Sequence, residues 1–432
     1  MKQYESYKDS GTPWIGQIPT HWEVKPIKFT ARIYNGDSLN DSQKAMYMNC
    51  NETDSIPYIA SKDVDRDTEF VDYENGVRIP FGGRGFSVAR AYTTLLCIEG
   101  GSAGKKIAFL NQPVCFVNKL CCFDTSLNDK FNYYYVCSNT FKEPFFQNLQ
   151  GMIGGVTISE IKNFPIVVPP LTEQTAIAEY LDKKCGSIDK VIATQEHRIE
   201  MLGELKQSII TEAVTRGINP AAPLKDSGID WIGKIPEHWN AIPLKFTGSF
   251  GNGLTYHPED VVESDGVLVL RSSNIQEDVL DFEDTVFVDS CPEFLMVRPG
   301  DIIICSRNGS ASLVGKCAMV EEDINATFGA FMMRYRPYQN PKFGFYLLQA
   351  ALKMYKGLYS TTTINQLTMG VIAQIHVAMP PIDEQNIIAN HLDRKCARID
   401  SAIAKAKREV ELLREFKQSV ITEAVTGKIK VC

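Results

Sequence analysis

Residues 170–217 read PLTEQTAIAEYLDKKCGSIDKVIATQEHRIEMLGELKQSIITEAVTRG, and residues 381–428 read PIDEQNIIANHLDRKCARIDSAIAKAKREVELLREFKQSVITEAVTGK. The second stretch restates the first at an offset of 211 residues (381 − 170). In both, a proline precedes Thr172 or Asp383, residue types that accept hydrogen bonds from the unpaired N–H groups of a first helical turn. Both positions are therefore expected to be N-caps. Glu173 and Glu384 complement the positive end of the helix dipole. Gly217 with Pro220 ends the first helix, and Gly427 ends the second. Apolar residues recur between these signals at spacings of three and four. The first helix offers Ile177, Leu181, Cys185, Ile188, Ile192, Ile199, Leu202 and Ile209. The second offers Ile388, Leu392, Cys396, Ile399, Ile403, Val410, Leu413 and Val420. Such a seam, over about six heptads, predicts a coiled coil. About 43 residues at 1.5 Å each give a rod on the order of 60–65 Å long. The alternative, an amphipathic helix lying on its own domain, stays open, although a helix this long outruns a small domain.

A second duplication precedes each helix. KDSGTPWIGQIPTHWEVKPIKF spans Lys8 to Phe29, and KDSGIDWIGKIPEHWNAIPLKF spans Lys225 to Phe246. The chain is thus arm, variable block, helix, repeated once. All four tryptophans (Trp14, Trp22, Trp231, Trp239) lie in the arms. They read as anchors that clamp an irregular segment onto the following domain, in preference to stacking platforms for nucleic acid. His21 and His238 take matching places, where a structural hydrogen bond is expected. A pseudo-two-fold relation between the repeats makes the helices antiparallel. A parallel pairing would need a chain return of roughly 60 Å from residues 217–230, too few once the arm is formed.

The variable blocks, about 30–169 and 247–380, diverge but remain alignable. PYIASKDV around Tyr58 matches LVLRSSNI around Leu270, and LLCIEGGSAGKKIAF around Cys97 matches IIICSRNGSASLVGKCAM around Cys305. CFVNKLCCF likewise matches ATFGAFMMRY. Short β-like runs (Leu95–Ile98, Asp301–Cys305) and a helical run (Phe343–Met354) predict one mixed fold with divergent loops. The expected class is α+β: two pseudo-two-fold-related mixed α/β domains separated by a long antiparallel two-helix coiled coil. The expected segments are 1–169, 170–219, 220–380 and 381–432.

Composition narrows the function. The 432 residues are 44% hydrophobic and 22% charged, with a formal charge of −7. No run approaches the roughly 20 apolar residues of a membrane span, and the N-terminus lacks an apolar signal core. The 12 cysteines form no CxxC pair or zinc spacing, and several sit in strand-like runs (Cys97, Cys115, Cys305). Reduced thiols and a cytoplasmic location follow as expectations. GGSAGKK lacks the spacing of a phosphate loop and has Lys106 where Ser or Thr must bind magnesium. No Asn/Asp-Pro-Pro-aromatic tetrapeptide, paired catalytic carboxylates or nucleophile elbow is present, so no chemistry is read from the chain. Loops rich in Arg, Lys, Asn and Ser instead suit base edges. They are Arg271, Ser272, Ser273 and Asn274, then Arg307, Asn308 and Ser310, in the second block; and Arg84, Lys105, Lys106, Asn118 and Lys119 in the first. Lys62, Tyr256, Lys316, Thr362 and Thr363 complete the candidate contacts, the last two in the loop Ser360–Asn365, which corresponds to Gln150–Gly155.

The duplicated WIGxIPxHW arm, the PPLTEQ/PPIDEQ helix starts, the ITEAVT helix ends and the divergent blocks resemble the specificity (S) subunits of type I restriction–modification systems. The resemblance covers essentially the whole chain. It implies that the blocks are target recognition domains, each reading one half of a split, asymmetric double-stranded DNA target. It implies that the paired helices set the spacing and dock two methyltransferase (M) subunits, with restriction/translocase (R) subunits joining. It further implies no catalytic site or cofactor on this chain, with S-adenosylmethionine, ATP and magnesium on the partners. A chain of charge −7 is then expected to bind DNA with positive surface supplied by those partners. A coiled-coil scaffold whose blocks bind proteins is the alternative, but it has no reason to keep Arg/Asn/Ser-rich tips in equivalent places.

Overall fold

The two expected helices form, as Leu171–Arg216 and Ile382–Val425. This computed structural model describes residues 3–48, 50, 54–66, 68, 70–81, 85–149, 154–359 and 366–431, without the side chains of 355–359. Each helix begins one residue ahead of its expected cap. Thr172 and Asp383 lie inside the first turn, and the carbonyls of Pro170 and Pro381 accept the N–H groups of Gln174 and Gln385. Proline, with its fixed φ and no N–H to satisfy, enters a helix readily. Both helices stop at glycines in the left-handed region, Gly217 at φ 73° and Gly427 at φ 72°.

The chain divides into two compact units, one of Met1–Glu196 with Lys407–Cys432, the other of His197–Ala406. Both long helices are therefore shared between units, a division that cuts across the linear segments of the repeat. In the first unit, the arm hairpin pairs Tyr7–Asp9 with Gln17–Pro19, and Glu23–Pro26 pairs with Pro165–Val168. A four-stranded antiparallel sheet runs in the order Ala31–Asn35, Leu120–Thr125, Thr94–Cys97, Ile107–Phe109. A second sheet runs Arg78–Pro80, Ser55–Ile59, Val114–Phe116, Val88–Ala89, with its central pair parallel. The second unit repeats this plan. Its arm hairpin is Leu224–Asp226 with Lys234–Pro236, and Asn240–Pro243 pairs with His376–Met379. Its antiparallel sheet runs Gly248–Asn252, Met332–Pro337, Ile302–Cys305, Cys317–Met319. Val267–Leu270 again pairs in parallel with Ala326–Phe328. The blocks are one fold.

Local detail differs where the sequences differ. The first block packs two short helices, Asp129–Cys137 and Asn139–Gln147, where the second has one, Pro341–Tyr359, longer than the Phe343–Met354 run expected. The second block has a hairpin of Ile275–Gln276 with Val279–Leu280 where the first has the single antiparallel bridge Val64–Val71. Its turn places Glu277 and Asp278 at φ 49° and 69°, and Asp278 reaches toward Lys206 of the first long helix at 3.7 Å. Lys206 also bonds Asp400 of the second long helix at 2.9 Å.

The helical seam is composite. In the first unit Ile177, Leu181 and Cys185 join Val420, Ile421, Ala424 and Val425 in the main core, beside Trp22. A separate cluster of Ile188, Ile192, Val410 and Leu413 is helix against helix alone. Lys417–Asp189 at 2.7 Å and Arg414–Glu196 at 2.9 Å flank it, and this order makes the helices antiparallel. In the second unit Ile388, Leu392 and Cys396 enter a core with Ile210, Ala213 and Val214. Ile209, expected on the seam, is half-buried beside the fully buried Ile210. Ile399 is buried, whereas Ile199, Leu202 and Ile403 are half-buried. The heptad stripe thus serves a domain core at its ends and a helix pair at its middle.

Candidate nucleic-acid interface

The arms explain why glutamate follows each helix start. Trp22 is fully buried and its indole Nε1–H donates to Glu173 Oε2 at 3.0 Å, while His21 Nε2 meets Oε1 at 2.7 Å. Trp239 and His238 hold Glu384 in the same way, at 2.9 and 2.5 Å. In the first unit Tyr4 adds a third hydrogen bond, at 2.8 Å. Burial alone raises the Glu173 carboxyl, but these hydrogen bonds outweigh it and hold the group below its ordinary value. Trp231 donates to the His376 carbonyl at 3.1 Å, and Trp14 is 37% exposed. The arms are structural clamps.

Above this base, each block carries the same backbone frame. After the parallel-paired strand comes a turn, Ser61–Asp63 or Ser272–Asn274, whose last side chain accepts the N–H of Ala60 or Arg271. Ile98 and Ser306 correspond: their N–H groups donate to the carbonyls of Lys119 and Phe331, and their carbonyls accept from Val156 and Leu367. The thiols of Cys97 and Cys305 bond the carbonyls of Glu99 and Arg307 at 3.4 and 3.7 Å. Isolated bridges join Glu99 to Gly155 and Arg307 to Gln366. Close approach selects glycine at the mouth. A Cβ on Gly36 would lie 1.8 Å from the Phe116 carbonyl oxygen, and one on Gly253 would lie 2.1 Å from that of Gly329.

The candidate side chains separate on this frame. Tyr256, Arg271, Ser272, Ser273, Arg307 and Asn308 line one recess of about 1290 Å³ in the second unit. Asn308 Nδ2 donates to Ser272 Oγ at 3.0 Å and its Oδ1 accepts the Ser310 N–H at 3.0 Å, so the two loops brace each other. Arg307 is exposed and its guanidinium lies 5.2 Å from the centroid of the Phe331 ring, itself 59% exposed. Arg271 is committed instead to Asp284 at 2.8 Å, and its guanidinium holds that carboxyl below the usual range. In the first unit Lys62, Lys105, Asn118 and Lys119 are exposed on the corresponding loops.

Three candidates are corrected. Asn274 is fully buried, and its amide donates to the carbonyls of Asp281 and Asp284 at 2.9 and 2.7 Å. Its donors and acceptor are used to hold the turn, and no face remains for a base. Lys106 and Lys316 are half-buried staples: each ammonium donates at 2.8 Å to a carbonyl of its own block, of Ser61 and of Ile275. Arg84, Thr362 and Thr363, with most of the loops Gln150–Gly155 and Ser360–Asn365, lie outside the described residues. The sequence reading missed Glu99 and Phe331. Aligning the two motifs on Cys97 and Cys305 is the signal that finds Glu99 opposite Arg307.

Comparison with known proteins accords with this plan. A model of the type I restriction modification DNA specificity domain matches residues 19–201 and 283–412. The EcoKI specificity subunit of Escherichia coli K12 is 32% identical over 206 residues, 46% of this chain and 44% of that protein. The chain thus matches less than half the length of that relative. The MjaVIII specificity subunit of Methanocaldococcus jannaschii is 25% identical over 354 residues, 78% of this chain and 79% of that protein. A chain from a structural study of complex assembly and conformational transition of the type I R-M system superposes with a TM-score of 0.69. It is 14% identical, covering 95% of this chain and 99% of that one, and so shares the fold. With the family model matching both repeats, over most of the chain, this protein belongs to the type I restriction–modification DNA specificity family.

Proposed function

We propose that this chain is the non-catalytic DNA-reading subunit of a type I restriction–modification complex, working in the cytoplasm. Each block reads one half of a bipartite, asymmetric duplex target. The carrying observation is one backbone frame, present in both units, that presents different side chains at its rim: Lys62, Lys105 and Lys119 in one, Arg307, Asn308 and Phe331 in the other. A conserved frame with exchanged tips is what two different half-sites require, because base identity is read by side-chain donors and acceptors while the frame only sets their position. The repeated helices, most alike at their ITEAVT ends, then suit two copies of one partner, a methyltransferase subunit, with restriction/translocase subunits completing the complex. S-adenosylmethionine, ATP and magnesium belong to those partners.

Block exchange tests the reading. Residues 30–169 are replaced by the corresponding block of another family member, the chain is co-expressed with its partner subunits, and modified bases are mapped across the host DNA. One half of the modified sequence is expected to change and the other to persist. A change in both halves, or in neither while modification continues, overturns the split-reader proposal.

A further inference from the structure

Glu99 and Arg307 occupy one position of the shared frame. Each follows the residue, Ile98 or Ser306, that is fixed by two backbone hydrogen bonds to its own block. Each has its carbonyl held by a buried cysteine and its backbone bridged to the loop before the long helix. Both side chains are exposed, and among the described residues neither forms an ion pair. These contacts place a backbone whose side chain is left for something outside the chain.

We propose that Glu99 and Arg307 are pseudo-equivalent base-reading residues of opposite hydrogen-bonding sense: Arg307 takes guanine in one half-site, and Glu99 takes the N4 amino group of cytosine in the other. The inference rests on the DNA-reading function proposed above and names its chemistry. A guanidinium is a planar fork that matches O6 and N7 of guanine, and the Phe331 ring at 5.2 Å holds that plane in place. Arg271, the other arginine of the recess, has its charge taken by Asp284. A carboxylate only accepts, and the cytosine N4–H₂ is the donor that a major groove offers it. Facing phosphates, a carboxylate is repelled, so its presence at a DNA rim needs a base donor in return. The exposed Lys62, Lys105 and Lys119 on neighbouring loops supply the phosphate contacts that let it approach.

The test selects bound duplexes from a pool randomised at both half-sites, using the full chain in its complex, and sequences them. The wild type is expected to select a bipartite motif. Arg307→Ala loses about ten- to a hundredfold of guanine preference at one position of one half-site. Glu99→Gln moves one position of the other half-site from cytosine to adenine, the base whose N6 and N7 an amide matches. Affinity for an unrelated duplex stays unchanged in both. Arg307→Lys keeps the charge without the fork and gives weaker guanine preference, which separates readout from any loss of folding by the alanine variant. A wild-type motif that survives both substitutions unaltered overturns the inference and leaves the function standing. So does an equal loss of affinity on all duplexes, which would make these phosphate contacts. A wild-type complex that selects no motif overturns the DNA-reading function itself, and this inference with it.

Discussion

Glu173 gathers a tyrosine, a histidine and a tryptophan from one arm onto the first turn of a helix. A single carboxylate therefore ties an irregular segment to the element that follows it 150 residues later. Its charge makes the tie sensitive to pH. Because the folded carboxyl is held below its ordinary value, the stabilisation is complete above the ordinary glutamate range, near 4.3, and is lost as pH falls through the folded value. Glu173→Gln is expected to cost about 1.5–3 kcal/mol at pH 7, the scale of a hydrogen bond to a charged group. Urea unfolding of both proteins at pH 7 and pH 3.5 measures it. The difference should narrow on acidification; a constant difference would mean that the charge contributes nothing. The same scale explains Asn274, which in sequence looks like a base reader and in the fold has its amide turned inward to hold a turn.

At the scale of the element, the long helices carry two kinds of burial on one stripe. Ile192, buried with Ile188, Val410 and Leu413, belongs to the cluster that the two long helices form between them. Ile192→Ala should cost about 2–4 kcal/mol, as loss of buried aliphatic volume does where little else can close the gap. Leu205, nearly half exposed on the same helix, is the control, and its alanine variant should fall within about 0.5 kcal/mol of wild type. Equal effects at both sites, measured by urea unfolding, would show that the stripe is not a packed seam. The helix ends are as specific. A Cβ on Gly427 would meet Pro19 at 2.5 Å and Trp22 at 2.9 Å, and one on Gly217 would meet Trp239 at 3.2 Å. Each helix thus terminates on the arm of the other repeat.

For the whole molecule the outstanding quantity is its charge of −7. Phosphate neutralisation supplies much of DNA affinity, and the slope of log K against log salt reports the number of phosphates engaged. The chain alone is expected to show a shallow slope on a duplex of the selected motif. The complex with its partner subunits is expected to show a steeper one, and a tighter affinity at every salt concentration. Fluorescence anisotropy over a salt series compares them. Equal slopes would place the positive surface on this chain and refute the inference that partners provide it.

Periodicity, helix signals and duplication are local, and they were enough to read two long helices, two arms and two copies of one α+β block. Helix ends at Gly217 and Gly427 follow from short-range preference, and the strands at Thr94–Cys97 and Ile302–Cys305, buried at every position, follow from short apolar runs. What needed the tertiary structure is whatever depends on residues far apart in the chain. The stripe of apolar residues looks uniform in sequence, yet which part packs on a helix and which on a domain is decided by the neighbours that arrive there. Lys106 and Lys316 resemble free basic contacts until the carbonyls of Ser61 and Ile275 are brought beside them. Glu99 and Arg307 are disguised by loops of unequal length and opposite charge. Aligning Cys97 with Cys305 pairs them in sequence, but it is the hydrogen bonds of the folded frame, which fix backbone position independently of side chain, that give the two residues the same place in their blocks.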